Sequence, residues 1–178
     1  MKNIRNTLVV LVATCFAAVA AANKGHNGGH GHDASDIGHT GQRTKVSRTI
    51  EVDMADNMRF TPDKVAVTQG ETIRFVIKNS GQLKHEFVMG TVKTLKEHYG
   101  MMKKFPAMEH ADDNMLTVAP GQSGELIWQF SKSGAVNFAC LQPGHYEAGM
   151  NGAIQIARAK AVGGAGTLAA ADLQTVQR

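Results

Sequence analysis

Between about Lys45 and Arg158, apolar and polar residues alternate in short runs broken by turn residues, which is the pattern of half-buried strands. Ile50, Val52 and Met54 alternate with Glu51 and Asp53. Val65 and Val67 flank Ala66 just ahead of Gly70, and Ile73, Phe75 and Ile77 follow. The pattern returns at Phe87 and Met89, at Leu126, Trp128 and Phe130 behind the Pro120-Gly121 turn, at Val136, Phe138 and Cys140, and at Ile154 and Ile156. About seven short strands with turns at this spacing predict an all-β fold, a β-sandwich of Greek-key type. One stretch breaks the rhythm. From Gly90 to Met115 the alternation lapses while Leu95, Tyr99 and Met102 fall at helical spacing, which predicts a short helix and an irregular loop inserted between two strands.

The flanks cannot belong to that core. Lys2 and Arg5 precede an apolar run from Leu8 to Ala20, and Ala18-Val19-Ala20-Ala21-Ala22 supplies small residues for cleavage, so residues 1–22 read as an export signal. The run is shorter than the roughly 20 apolar residues that span a bilayer, so the mature chain is expected not to enter a membrane. Residues 23–44 hold four His and six Gly with Ile37 as the one large aliphatic side chain, and predict a flexible tail. Residues 159–178 are rich in Ala and Gly and predict a loosely held extension.

Charge narrows the partners. Removing Lys2 and Arg5 from 19 Lys+Arg leaves 17 against 15 Asp+Glu, a net charge of +2 that gives no reason to expect nucleic acid or an anionic membrane as partner. Cleavage also removes Cys15. Cys140 is then the sole thiol of an exported chain, in a compartment where thiols usually pair, so it calls for burial, an intermolecular bridge, catalysis or metal ligation.

The chemistry concentrates in Cys140-Leu141-Gln142-Pro143-Gly144-His145-Tyr146-Glu147-Ala148-Gly149-Met150. Cys, His and Met recur at intervals of five, and Pro143-Gly144 and Gly149 let the backbone turn so that the three side chains converge. Two imidazoles, a thiolate and a weak axial thioether are the donor set of a type 1 copper site. His85, opening the apolar segment His85-Glu86-Phe87-Val88-Met89, is the best placed second imidazole. Zinc could use the two His and the Cys, but a thioether suits it poorly.

The segment from Phe60-Thr61-Pro62 through Val65, Val67, Gly70, Thr72 and Phe75 to Asn79, followed by His85 and the Cys140–Met150 loop, resembles the cupredoxin family over about 110 residues. The resemblance implies a two-sheet sandwich, a cupredoxin domain over 45–158, with copper near one end on His85, Cys140, His145 and Met150. The ligand spacing is similar to that of longer-looped members such as rusticyanin rather than plastocyanin. Glu86 departs from the pattern, since many members carry Asn, Asp or Ser after the first His.

Such a donor set, with no open position for a substrate, argues for a copper-binding or electron-transfer protein rather than an enzyme. A multicopper oxidase would need several His-x-His pairs, and a binuclear purple centre a second Cys. His26, His30, His32 and His39 in the tail, and His98, Met101, Met102, Met108, His110 and Met115 in the insertion, are expected to capture further copper. With the HEFVMG segment, the His-bearing amino-terminal region resembles the CopI-like periplasmic copper-tolerance cupredoxins. The expected function is therefore periplasmic copper tolerance by binding, oxidising or handing on copper, with a redox or copper-transfer protein as partner; the alternative is a soluble one-electron carrier.

Overall fold

A computed structural model of the chain describes residues 37–106 and 111–160. The export signal, His26, His30, His32, Met108, His110 and residues 161–178 lie outside the described residues. Ten strands, one α-helix and a 3-10 turn (Arg43–Lys45) stand in the described residues: β1 (His39–Thr40), β2 (Arg48–Ala55), β3 (Arg59–Thr61), β4 (Lys64–Thr68), β5 (Thr72–Asn79), β6 (His85–Gly90), α1 (Val92–Lys104), β7 (Met115–Val118), β8 (Ser123–Gln129), β9 (Gly134–Ala139) and β10 (Asn151–Ala157). They form two five-stranded sheets, one ordered β1-β8-β5-β2-β3 and the other β4-β10-β9-β6-β7. Parallel β2–β5 and β4–β10 pairs among antiparallel ones are the crossovers expected of a Greek-key sandwich.

The alternation read from the sequence points into the space between the sheets. Val52 and Met54 of β2, Ile73, Phe75 and Ile77 of β5, Leu126 and Trp128 of β8, Val136 and Phe138 of β9, and Ile154 and Ile156 of β10 share one buried cluster. Phe87 lies against Phe60, Phe75 and Phe138, with ring centroids 6.0, 5.6 and 4.9 Å away, so aromatic packing fills the interior beneath β6.

β6 is buried along its whole length, which an ordinary two-sheet sandwich would not produce. Its second face is covered by α1. Thr91 caps that helix by accepting a hydrogen bond from the Thr94 amide at 3.1 Å, and Leu95, Tyr99 and Met102, at i, i+4 and i+7, turn one stripe inward. That stripe meets Val88, Met115, Ala139 and Leu141 in a second cluster. Successive residues of β6 and β9 therefore face different cores: Phe87, Met89, Phe138 and Cys140 the interior of the sandwich, Val88, Ala139 and Leu141 the helix.

The tail expected over 23–44 is ordered in its last third. Ile37 is buried, its carbonyl accepts from Trp128 Nε1 at 3.1 Å, and β1 adds to the edge of β8 through His39↔Gln129 and Thr40↔Trp128. Among the described residues the sandwich includes Ile37, because one aliphatic side chain and a buried indole N–H needing an acceptor anchor a segment that is otherwise polar.

Candidate metal centre

β6 and β9 run antiparallel, with Val88 opposite Ala139 and Met89 opposite Phe138. Continuing that register past the end of β9 puts Cys140 opposite Phe87, two residues from His85 and so on the same inward face. The Glu86 amide lies 3.3 Å from Cys140 Sγ and donates to it. Two residues 55 apart in sequence are in this way delivered to one end of the sandwich by strand pairing alone.

The loop after Cys140 is shaped by two glycines. Pro143 and Gly144 occupy the central positions of a turn closed by His145 N–H to Gln142 O at 3.0 Å, and Gly144 has φ +87°, the left-handed value that this turn requires at its third residue. One helical turn follows and ends at Gly149, φ +91°: Gly149 N–H donates to Tyr146 O at 3.0 Å and Met150 N–H to His145 O at 3.0 Å. This bond pair is a Schellman motif, in which the side chains three residues before and two residues beyond the cap habitually meet; here they are His145 and Met150. Cys140 N–H then donates to Met150 O at 3.0 Å, closing the loop on its own start. Met150 is fully buried in the cluster that holds Cys140.

The result is a triangle of donor atoms. His85 Nδ1 lies 3.1 Å from His145 Nδ1 and 3.9 Å from Cys140 Sγ, and His145 Nδ1 lies 3.3 Å from that sulfur. An ion bound in the plane of two nitrogens and a sulfur, at bond lengths of about 2.0 to 2.3 Å, spaces them about 3.5 to 3.7 Å apart. The triangle fits such an ion with shifts of a few tenths of an ångström. Among the described residues these three are the one group of His, Cys and carboxylate side chains whose donor atoms converge within 4.8 Å.

Burial favours the uncharged form of both Cys140 and His145. Burial pushes the Cys140 thiol up to about 11, against the opposing effect of the Gln142 and Glu86 amides. Burial, together with the facing His85 ring, holds His145 below the ordinary imidazole value. His145 is ready as a neutral donor, whereas Cys140 must lose a proton to bind.

Side chains around the triangle brace it. Asp56, in the three-residue turn between β2 and β3, faces His85 Nε2 at 3.1 Å and accepts from the Gln82 and Leu83 amides at 2.7 and 3.2 Å. These contacts, the Gln82 amide foremost, hold its carboxyl below the usual range. Arg59, at the far end of the same turn, donates through Nη1 to Ala148 O at 2.8 Å, inside the ligand loop. Asn79 closes the approach to His85 by donating to Leu83 O and Val118 O, and Glu86 accepts from Gln142 Nε2, joining the His85 strand to the Cys140 loop. Tyr99 of α1 accepts from the Gly144 amide at 3.4 Å and lies against Tyr146, ring centroids 5.2 Å apart. Asp56 and Arg59 escaped the sequence reading, since nothing local separates their turn from any other.

Among the described residues, neither His39 nor His98 joins a group of three or more converging His, Cys or carboxylate donors. Met102 and Met115 are buried between α1 and β6, where they pack with Val88, Leu95 and Tyr99. Met101 is exposed, and His98, three residues before it, is half-buried. His39 Nε2 lies 2.9 Å from Gln129 Oε1 at the edge of β8.

Residues 46–157 match the model of copper binding proteins of the plastocyanin/azurin family. The copper-resistant cuproprotein CopI of Rubrivivax gelatinosus is 46% identical over 164 residues, covering 88% of this chain and 99% of that protein. The protein of the same name from Pseudomonas aeruginosa is 34% identical over 177 residues, covering 83% and 93%. Among solved structures, a dithionite-reduced auracyanin from the photosynthetic bacterium Roseiflexus castenholzii superimposes with a TM-score of 0.55 at 23% identity, over 63% of this chain and 98% of that one. Auracyanin B gives 0.56 at 18% identity, over 67% and 94%. At such identities these two speak for the fold alone.

Proposed function

Since the chain belongs to the plastocyanin/azurin family of copper-binding proteins, we propose that His85, Cys140, His145 and Met150 hold one copper ion in a type 1 centre, and that the protein contributes to copper tolerance in the periplasm. The observation that carries this reading is the convergence of His85 Nδ1, Cys140 Sγ and His145 Nδ1, with Met150 fastened beside them by the loop. Soft sulfur and borderline imidazole are the donors that select copper over harder ions. The relatives bearing the copper-resistance name cover the chain almost throughout, which extends the reading from binding to tolerance.

Copper held in this way supplies a one-electron couple. The chain's own contribution is to bind and to exclude water. Cys140 would release its proton and be stabilised as thiolate by the Glu86 amide, and the burial of His85, Cys140 and Met150 leaves His145, half-exposed behind Pro143 and Gly144, as the route outward. That exposed edge also favours a second reading, a soluble one-electron carrier.

Titrating the purified mature protein with copper, with metal counting and visible absorption, tests the centre. One tightly bound copper and an intense thiolate charge-transfer band, absent in Cys140→Ser, are expected; an oxidised, copper-loaded sample without that band overturns it. Deleting the gene separates the two roles. Lowered copper tolerance with intact respiration supports the first, and the reverse pattern supports the carrier.

A further inference from the structure

Asp56 makes three contacts from one carboxylate, and two of them are unrelated to the metal. It accepts the Gln82 and Leu83 amides, which orders the segment leading into β6, and it faces Nε2 of His85. Nδ1 of the same ring is turned to His145 and Cys140. A neutral imidazole that offers Nδ1 to a metal carries its proton on Nε2, and that proton then points at Asp56. The ring is fully buried, so this hydrogen bond replaces contact with water that Nε2 does not have.

The turn that carries Asp56 is itself constrained. Asp56, Asn57 and Met58 form a three-residue connection between β2 and β3, closed by Met58 N–H to Ala55 O at 3.0 Å, and Met58 takes φ 60°, the left-handed position at the end of such loops that glycine usually fills. Arg59 follows directly and grips the loop between His145 and Met150. One short turn therefore touches both ligand-bearing segments.

We propose that Asp56 is a positioning residue of the copper centre, which holds His85 by its Nε2 proton with Nδ1 turned toward Cys140 and His145, and whose charge favours the cupric over the cuprous state. The inference rests on the copper-binding reading above. A carboxylate on the far nitrogen strengthens the ring as a donor, and a negative charge close to the centre stabilises the more highly charged ion. Asp56 is partly exposed, so solvent screens the effect, and it belongs at the lower end of the range of about 10- to 100-fold in affinity that such partners command.

Asp56→Asn removes the charge and keeps one accepting oxygen, which serves the Leu83 amide and His85 Nε2 as Oδ1 does, while the Gln82 amide loses its acceptor at Oδ2. In the copper-loaded protein, Cu(II) and Cu(I) affinities are measured by competition with chromophoric chelators, and the reduction potential by equilibrium titration. The variant is expected to lose about tenfold in the ratio of Cu(II) to Cu(I) affinity, with a raised potential, while the metal-free protein still unfolds cooperatively at a midpoint lowered by the lost Gln82 bond. A wild-type ratio and potential in a variant that binds copper normally overturns the role of Asp56 alone. Failure of the unsubstituted protein to bind copper overturns the underlying reading and this one with it. Proton NMR of the reduced, unsubstituted protein gives a check that needs no variant: the His85 Nε2 proton is expected to exchange slowly with solvent, and rapid exchange contradicts the proposal.

Discussion

The loop from Cys140 to Met150 and the insertion from Gly90 to Met115 hold the same kinds of soft donor, and the fold treats them in opposite ways. In the loop, two left-handed glycines and a ladder of backbone bonds turn Cys140, His145 and Met150 toward one end of the sandwich. Along α1, the helical period decides instead: Met102 joins Leu95 and Tyr99 beneath the helix, while Met101, one residue earlier, points out to solvent. Sulfur and imidazole make a site only where the backbone forces them to share a point. Elsewhere methionine is an adaptable filler of irregular core space, as Met102 and Met115 are against β6.

The contrast is broken most severely by exchanging sulfur in the two regions. Cys140→Ser is expected to abolish the charge-transfer band and tight copper binding, whereas Met102→Leu and Met115→Leu leave the copper count at its wild-type value and cost less than about 1.5 kcal/mol by thermal unfolding. Loss of bound copper in either methionine variant, with the fold intact, would show that the insertion binds metal after all.

A second effect, intermediate in size, distinguishes the loop without any metal. The Cys140 thiol stands at about 11 in the folded protein against an ordinary 9.0, so the unfolded chain ionises first as pH rises. Metal-free stability is therefore expected to be intact below pH 9 and to fall by roughly 2–3 kcal/mol as pH climbs to about 11. Chemical denaturation across that window checks this, and Cys140→Ser should remove the decline.

The smallest expected effect sharpens the account of how the loop is shaped. Gly149→Ala places a Cβ at φ +91°, 3.2 Å from the Arg59 guanidinium, and is expected to cost about 1–2 kcal/mol. Because the same residue returns Met150 to His145, the visible spectrum of the copper-loaded variant should shift as well. Equal stability and an identical spectrum would mean that the loop owes its form to something other than its cap.

The strands were legible where one face is buried and the other wet, as in β2, β5, β8 and β10, because the alternation of side chains is then written in the sequence. β6 is buried on both faces for a reason the sequence holds elsewhere, in the stripe Leu95, Tyr99 and Met102. β1, β3 and β7 are two to four residues long and exist because a neighbouring strand needs an edge partner, so they leave almost no local pattern. At the centre, Cys140, His145 and Met150 lie within one loop and were readable as a spacing. His85 required an argument about strand pairing. Asp56 and Arg59 act across 29 and 89 residues of sequence, on a ring and a carbonyl whose positions only the fold determines.

X-ray absorption at the copper edge tests the central claim most directly, on protein loaded with one equivalent of copper. The account predicts one short bond to sulfur and two to imidazole nitrogen, with the sulfur component gone in Cys140→Ser. A first shell made only of nitrogen and oxygen would place the metal elsewhere on the chain and contradict it.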